Sequence, residues 1–306
     1  METPANPAIS IVIPTYNHAD VLGECLRSVI AQGYAAWEAL VVDDASMDSP
    51  AAVIAACADP RVRLLTHACN RGLAAARNTG FSAASTTYIV PLDADDQLHP
   101  DYLSRVMDVV AAHPEVDCVF TDLQLFGAEN DVWHYQVRTA AAMAKHQWIP
   151  GAGALLRKSL WQRVGGYCED DRLRAGNEDW DFWIGAVEQP LHAFHIPEPL
   201  YRYRRTAGSM SGMLRAREYE TREIIYQRHR DFFAQAGVGA GAEFLADGYR
   251  LSALASEDRT EAQRLWRKAW QLHPHKIALL AAACYARAPR ILQQFWRGIT
   301  RRTFRR

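Results

Sequence analysis

The stretch YIVPLDADDQLHP, residues 88–100, ends an apolar run in three carboxylates within four positions, Asp93, Asp95 and Asp96. Like charges this close repel, and each loses hydration beside an apolar core, so a positive partner is expected at this strand end. A hard divalent cation such as Mg2+ or Mn2+ suits the pattern, because such an ion is held by one or two carboxylates and completes its shell with substrate phosphates. The alternative is an acidic turn that caps a helix starting near Pro100. Asp43 and Asp44 close a second apolar run, EALVVDD, and pose a similar choice. A carboxylate there accepts hydrogen bonds from a ribose or base, or it shapes an Asx-turn with Ser46 and Asp48. A third acidic set lies in NEDWDFWIGAVEQ, residues 177–189, which reads as a helix with Asp179 in its first turn. There it is either a partner of the helix dipole or a general base.

No glycine-rich phosphate loop follows any strand, neither Gly-x-Gly-x-x-Gly nor Gly-x-x-x-x-Gly-Lys-Ser/Thr. The phosphates of a bound nucleotide are therefore left to a metal and to basic side chains such as Arg71 or Arg77. Arg77 stands out as a charge inside the otherwise apolar NRGLAAARNTG.

The elements that must position these groups alternate. AISIVIPTY (8–16), EALVVDD (38–44), RVRLLTH (61–67) and YIVPLD (88–93) read as short buried strands. Between them come a helix capped by Asp20, a helix from about Pro50, and a helix over 72–85. A helix at about 100–112 and a strand at 116–122 follow. This order predicts a parallel sheet covered on both faces, with ligands beyond the carboxyl ends of its strands. Pro14–Asn17, Asp43–Ser46 and Asp93–Asp96 then share one rim. Residues 123–150 are expected to be irregular or antiparallel, with Trp and Tyr residues of 133–148 either packing or lining an acceptor groove. A strand end, a short helix and a Gly-Gly stop are expected over 155–167, and helices from about 214 onward.

Composition bounds the class. The chain has 306 residues, 49% hydrophobic and 23% charged, enough for a packed core. Its net charge of −1 conceals seven arginines and no acid in residues 287–306, so the first 286 residues carry about −8. An acidic body argues against nucleic-acid binding. Six scattered cysteines without a Cys-x-x-Cys pair suit free thiols in a reducing compartment. No signal peptide is visible and the apolar run IALLAAACYA is shorter than the roughly 20 residues of a spanning helix, so a cytoplasmic location is expected. In the tail, Ile291, Leu292, Phe295, Trp296 and Ile299 would share a face of a basic amphipathic helix, giving peripheral membrane contact through 287–306.

Six stretches in order, SIVIPTYNHADVLGECLRSVIAQ, ALVVDDASMDS, NRGLAAARNTGFSAAS, YIVPLDADDQLHPDYL, KSLWQRVGGY and NEDWDFWIGA, resemble glycosyltransferase family 2 over about residues 8–212. The resemblance implies an α/β GT-A fold, Rossmann-like, with a mostly parallel central sheet flanked by helices. It implies a catalytic domain over 1–212, with a nucleotide-sugar part to about 122 and an acceptor part over 123–212, followed by a helical region over 213–306. Pro14, Thr15, Tyr16 and Asn17 would line the base pocket, with Asp44 bonding the base. Asp93, Ala94 and Asp95 match the family's Asp-x-Asp: Asp95 as direct metal ligand, Asp93 beside it and facing the ribose or sugar. Arg77, and Arg202 or Arg204 in YRYRRTAGSMS, would serve the diphosphate, where many relatives have a histidine in the latter segment. Asp179 corresponds to the catalytic base, with Glu178, Trp180 and Gly151 beside the acceptor. The implied enzyme is an inverting transferase that uses Mn2+ or Mg2+, a nucleotide-sugar (a UDP-sugar first) and a glycan or lipid-linked acceptor. A nucleotide-sugar-binding relative without activity, and a nucleotidyltransferase, are the competing classes.

Overall fold

The structure, a computed structural model, describes residues 8–206 and 211–274. It forms two compact units that divide after Gly212. In the first unit, β1 (Ile9–Thr15), β2 (Trp37–Asp43), β3 (Val62–Thr66) and β4 (Tyr88–Pro91) are the four expected strands. All three pairings among them are parallel in the order β3-β2-β1-β4, with Thr15 level with Asp43 and Val12 level with Pro91. The carboxyl ends of β1, β2 and β4 therefore share one edge, the condition for a common rim.

β1 and β2 are buried along their whole length because helices cover both faces. Ile9, Ile11 and Ile13 pack with Leu22, Cys25, Leu26 and Val29 of α1 (Ala19–Ile30), whose apolar positions recur at helical spacing. Val12 points to the opposite face, as strand alternation requires, and meets α3 (Leu73–Ala83) at Gly80. α2 (Pro50–Cys57) begins with proline in its first turn. Asp20 does not cap α1: His18 occupies that position, and the Ala19 amide donates to Asp48 Oδ2 at 2.8 Å.

Beyond β4 the sheet changes direction. After β5 (Gln97–Leu98) and α4 (Tyr102–Ala112), β6 (Cys118–Gly127) runs longer than expected and pairs antiparallel with β7 (Val132–Trp133). β8 (Leu155–Arg157) sits antiparallel between β4 and β6. The central sheet is mostly parallel on the β1–β4 side, as the resemblance implies, and β9 (Ala193–Arg205) runs parallel to β6 and antiparallel to β5. A register shift between Thr121 and Leu123 brackets Asp122, whose buried carboxylate accepts hydrogen bonds from His134 Nδ1, the Tyr135 amide and His195 Nε2. α5 (Lys158–Val164) ends at Gly165 and Gly166, both at positive φ, and α6 (Glu178–Val187) completes the unit.

The second unit holds α7 (Ser211–Arg228), α8 (Arg230–Gln235), α9 (Ala240–Ala255) and α10 (Arg259–Leu272). α9 and α10 bury Ala246, Tyr249, Ala253, Leu265, Trp266 and Ala269 against one another. Among the described residues no helix is long and apolar enough to cross a membrane. The basic tail 287–306, and any membrane contact it makes, lie outside the described residues.

The fit of α3 on the sheet yields a test. A Cβ at Gly80 would stand 2.3 Å from Val12 Cγ1 and 3.2 Å from Val42 Cγ2, both on strands locked by their neighbours. Gly80→Ala is expected to destabilise the first unit by about 1–3 kcal/mol through overpacking, despite alanine's better helix propensity. Chemical denaturation of the variant against the native chain measures it.

Candidate active site

The rim is braced by backbone rather than by core. At the end of β1, Asn17 adopts φ 56°, its amide donates to Ser46 Oγ at 3.0 Å, and its side-chain oxygen accepts from the Met47 amide at 2.8 Å. Pro14 and Thr15 are buried, and Tyr16 is exposed beyond them. These bonds tie the β1 end to the β2 end and leave the Tyr16 ring on the open side. Asp43 Oδ1 accepts from the Ser46 amide, the Asx-turn that the sequence offered. Asp44, expected to face a base, is turned inward and almost wholly buried. It accepts from His67 Nδ1 at 2.6 Å, the Arg71 amide at 2.8 Å and the Gly72 amide at 2.7 Å, so it first of all fixes the loop before α3. His67 extends the bracket to Thr79 through its other nitrogen.

The three acids after β4 separate into three environments. Asp96 is 0% exposed, and its oxygens accept from the Tyr201 hydroxyl at 2.6 Å and the Arg204 amide at 2.7 Å. Burial pushes its carboxyl well up, with Asp93 and Asp95 adding to the rise. It does not cap α4, whose N-cap is Asp101; it pins β9 beneath the acidic turn. Ala94 packs its methyl in the core, so only its backbone faces the turn. Asp93 and Asp95 are half-buried. Burial raises the Asp95 carboxyl and the Asp93 charge raises it further, which Arg204 and His18 only partly oppose. A divalent cation would offset both causes. Among the described residues no three Asp, Glu, His or Cys side chains form a metal set. The donor set of Asp95 with Asp93 thus fits an ion that takes its remaining ligands from phosphate and water.

Of the two arginines left open by the sequence, Arg204 is the one at the acidic turn: Nε donates to the Asp95 carbonyl at 2.7 Å and Nη2 to Glu24 at 2.6 Å. Arg202 turns to Gln97 Oε1 and stacks over Phe126.

Arg77 corrects the expectation of a phosphate-binding cation. It is 2% exposed, donating through Nη2 to Asp93 Oδ1 at 2.9 Å and through Nη1 to Glu178 Oε1 at 2.6 Å. Burial works against its charge, but Asp93 and Glu178 outweigh it and raise its pKa. Glu178 faces this arginine rather than an acceptor, and burial, opposed by Arg77 and reinforced by Asp179, lifts its carboxyl to about 7. Trp180 is likewise core: its indole donates to the Met143 carbonyl at 2.8 Å. Asp179, the next residue after Glu178, stays half-buried. Its Oδ1 accepts from the Trp180 amide and its Oδ2 from Gln147 Nε2, each at 2.8 Å. A Cβ at Gly151 would sit 2.0 Å from Asp179 Oδ2, so only glycine leaves room for the carboxylate.

Sequence reasoning misses Gln147 and takes His67, near the rim, for an ordinary surface or core residue. His67 follows the third strand as Asp44 follows the second, a parity that could have flagged it; Gln147 lies in an irregular segment with no such signal. The buried pair yields a second test. Arg77→Met leaves Glu178 buried beside Asp179 without its cation, and a loss of about 3 kcal/mol or more is expected. Adding Glu178→Gln should recover part of it, as read by thermal unfolding.

The sequence pattern of glycosyl transferase family 2 matches residues 10–173. The chain is 36% identical over 243 residues to WcaA of Escherichia coli K12, a putative colanic acid biosynthesis glycosyl transferase, covering 76% of this chain and 84% of that protein. It is 33% identical over 227 residues to the uncharacterized protein y4gI of Sinorhizobium fredii, covering 70% of this chain but only 24% of that longer protein. In fold it is similar to S. aureus TarS 1–349 solved with UDP-GlcNAc, at TM-score 0.68 and 17% identity over 89% of this chain and 83% of that one. With a family pattern spanning more than half of its length, the chain belongs to glycosyltransferase family 2 and carries the GT-A fold of a glycosyltransferase.

Proposed function

We propose that this protein moves a sugar from a nucleoside-diphosphate sugar to a hydroxyl on a glycan or lipid-linked precursor in polysaccharide biosynthesis, by one displacement with inversion. Residues 1–212 are the catalytic part in this reading and 213–306 an appended helical region. The observation that carries it is the pairing of two acidic centres through Arg77: the Asp93–Asp95 turn on one side and the start of α6, with Asp179, on the other. Support for the pathway comes from WcaA, named for colanic acid biosynthesis, and for the donor from TarS, solved with UDP-GlcNAc.

In the reaction, the acceptor oxygen bonds to the anomeric carbon as the bond from that carbon to the diphosphate oxygen breaks. The bonding electrons leave with the nucleoside diphosphate, and the acceptor proton passes to the Asp179 carboxylate. Asp179 is half-buried and anchored at both oxygens, so it meets the acceptor with its orientation already set. When bound at Asp95 and Asp93, a divalent cation supplies charge neutralisation at the leaving diphosphate. A mannosyltransferase from Pyrobaculum calidifontis, similar in fold at TM-score 0.55, was solved with GDP-Man and Mn2+. Arg204 stands at the same turn and adds positive charge there. Tyr16, open at the end of β1, is placed to stack on the base. Asp44 serves the base site chiefly by fixing the 70–72 loop.

The test is release of nucleoside diphosphate from UDP-GlcNAc, other UDP-sugars and GDP-mannose with Mn2+, with and without acceptor. Asp179→Asn is expected to keep donor binding while turnover falls roughly 10²–10⁴-fold. Near-native transfer by that variant would remove Asp179 from the role of base. Asp95→Ala should abolish the metal-stimulated rate, and an unchanged Mn2+ titration would remove Asp95 from the metal site.

A further inference from the structure

The segment 143–151 lies outside the six stretches that resemble the family, yet three side chains of α6 are fastened to it. The Trp180 indole donates to the Met143 carbonyl at 2.8 Å, the Trp183 indole to the Pro150 carbonyl at 3.2 Å, and the Asp179 carboxylate accepts from Gln147. We propose that Gln147 is the positioning residue of the catalytic base: its amide holds the Asp179 carboxylate in the orientation that receives the acceptor proton. The inference rests on the transferase reading above.

Gln147 Nε2 donates to Asp179 Oδ2 at 2.8 Å and to the Ile149 carbonyl at 3.1 Å. Both partners are acceptors, so the amide nitrogen, and not its oxygen, must face them. The two amide hydrogens are thereby divided, one locking the carboxylate and the other locking the loop that carries Gln147. Among the described residues, the other anchor of the Asp179 carboxylate is the amide of the next residue, Trp180, which moves with Asp179 itself. Gln147 is the fixed point outside α6.

The neighbouring geometry limits the alternatives open to the carboxylate. Oδ2 lies where a Cβ on Gly151 would be, at 2.0 Å, so the oxygen is seated against bare backbone. A carboxylate oxygen has two acceptor sites, and each Asp179 oxygen has one such bond from the protein, which leaves room for a hydroxyl. Gln147 carries no charge and takes no proton, so its contribution is orientation. A base held in place from outside its own helix loses little freedom when the acceptor arrives, and misplacement by a fraction of an ångström slows transfer strongly.

The experiment uses the full chain with UDP-GlcNAc or GDP-mannose and Mn2+, reading nucleoside diphosphate release with water as acceptor. Gln147→Leu removes the donor and leaves a branched apolar side chain one atom shorter. Its kcat is expected to fall on the order of ten- to hundredfold, with donor KM and thermal midpoint close to native. In an Asp179→Asn background the same substitution should cost nothing more, because Gln147 acts only through Asp179. A native kcat, or an equal fall in both backgrounds, overturns the proposal. An independent reading needs no turnover: the Asp179 side-chain carboxyl 13C resonance, identified by its absence in Asp179→Asn, should shift in donor-free Gln147→Leu, and an unmoved resonance also overturns it. A native chain that releases no nucleotide from any donor, with the resonance shifted as expected, counts against the transferase reading on which the inference stands.

Discussion

The site depends on one buried cation. Arg77 leaves α3 into a space where it meets Asp93 on one side and Glu178 on the other, three segments separated by as much as 101 positions in sequence. A guanidinium without water is costly, and so is each carboxylate near it. Together they stand because the planar fork of arginine offers separate nitrogens to two acids at once. The arrangement fixes the distance between the turn after β4 and the start of α6. The acids proposed for the metal and for the acceptor proton, Asp93, Asp95 and Asp179, hang from those two ends.

Charge elsewhere on the rim follows the same logic of inward acids serving as struts. Asp44 gathers three donors and so holds the 70–72 loop from which α3 departs. Asp96 takes the Tyr201 hydroxyl and the Arg204 amide and so fastens β9 under the acidic turn. The neighbouring acids differ: Asp43 also fixes backbone, accepting from the Ser46 amide, whereas Asp95 is half-buried at the turn. After β4 the second carboxylate lets Asp96 fix the backbone while Asp95 does not, a division that a single residue cannot make. The Asp95 carboxyl is raised in turn: burial lifts it and the Asp93 charge lifts it further.

Much of the fold was legible because its signals are local. Continuous β-branched runs of buried-strand length, broken by helical periodicity, marked β1 to β4 and the rim that their ends share. The Gly-Gly pair at 165–166 marked the end of α5 through positive φ. What the sequence could not disclose was direction. Whether Glu178 and Trp180 face an acceptor or the interior depends on Arg77 and Met143, partners 101 and 37 positions away. The length of β9 was hidden for a different reason: YRYRR alternates arginine with tyrosine, so Tyr201 joins the core while Arg202 and Arg204 stack over Phe126. Gln147 had no signal of its own, since an amide in a loop acquires meaning only from the carboxylate it meets.

The two ends joined by Arg77 differ in how their charge is balanced. At the β4 end, Asp95 is paired within the protein only in part, through the surroundings of Arg204 and His18, and its raised carboxyl is a standing imbalance that positive charge relieves. At the α6 end, Asp179 already has a neutral donor on each oxygen and needs no cation. Neutral donors orient a carboxylate without adding a charge of their own. The arginine meets the acid one residue earlier, Glu178. That adjacency explains why the helix opens with two acids: the first anchors the helix to the sheet through Arg77, and the second is thereby free to be oriented by uncharged partners.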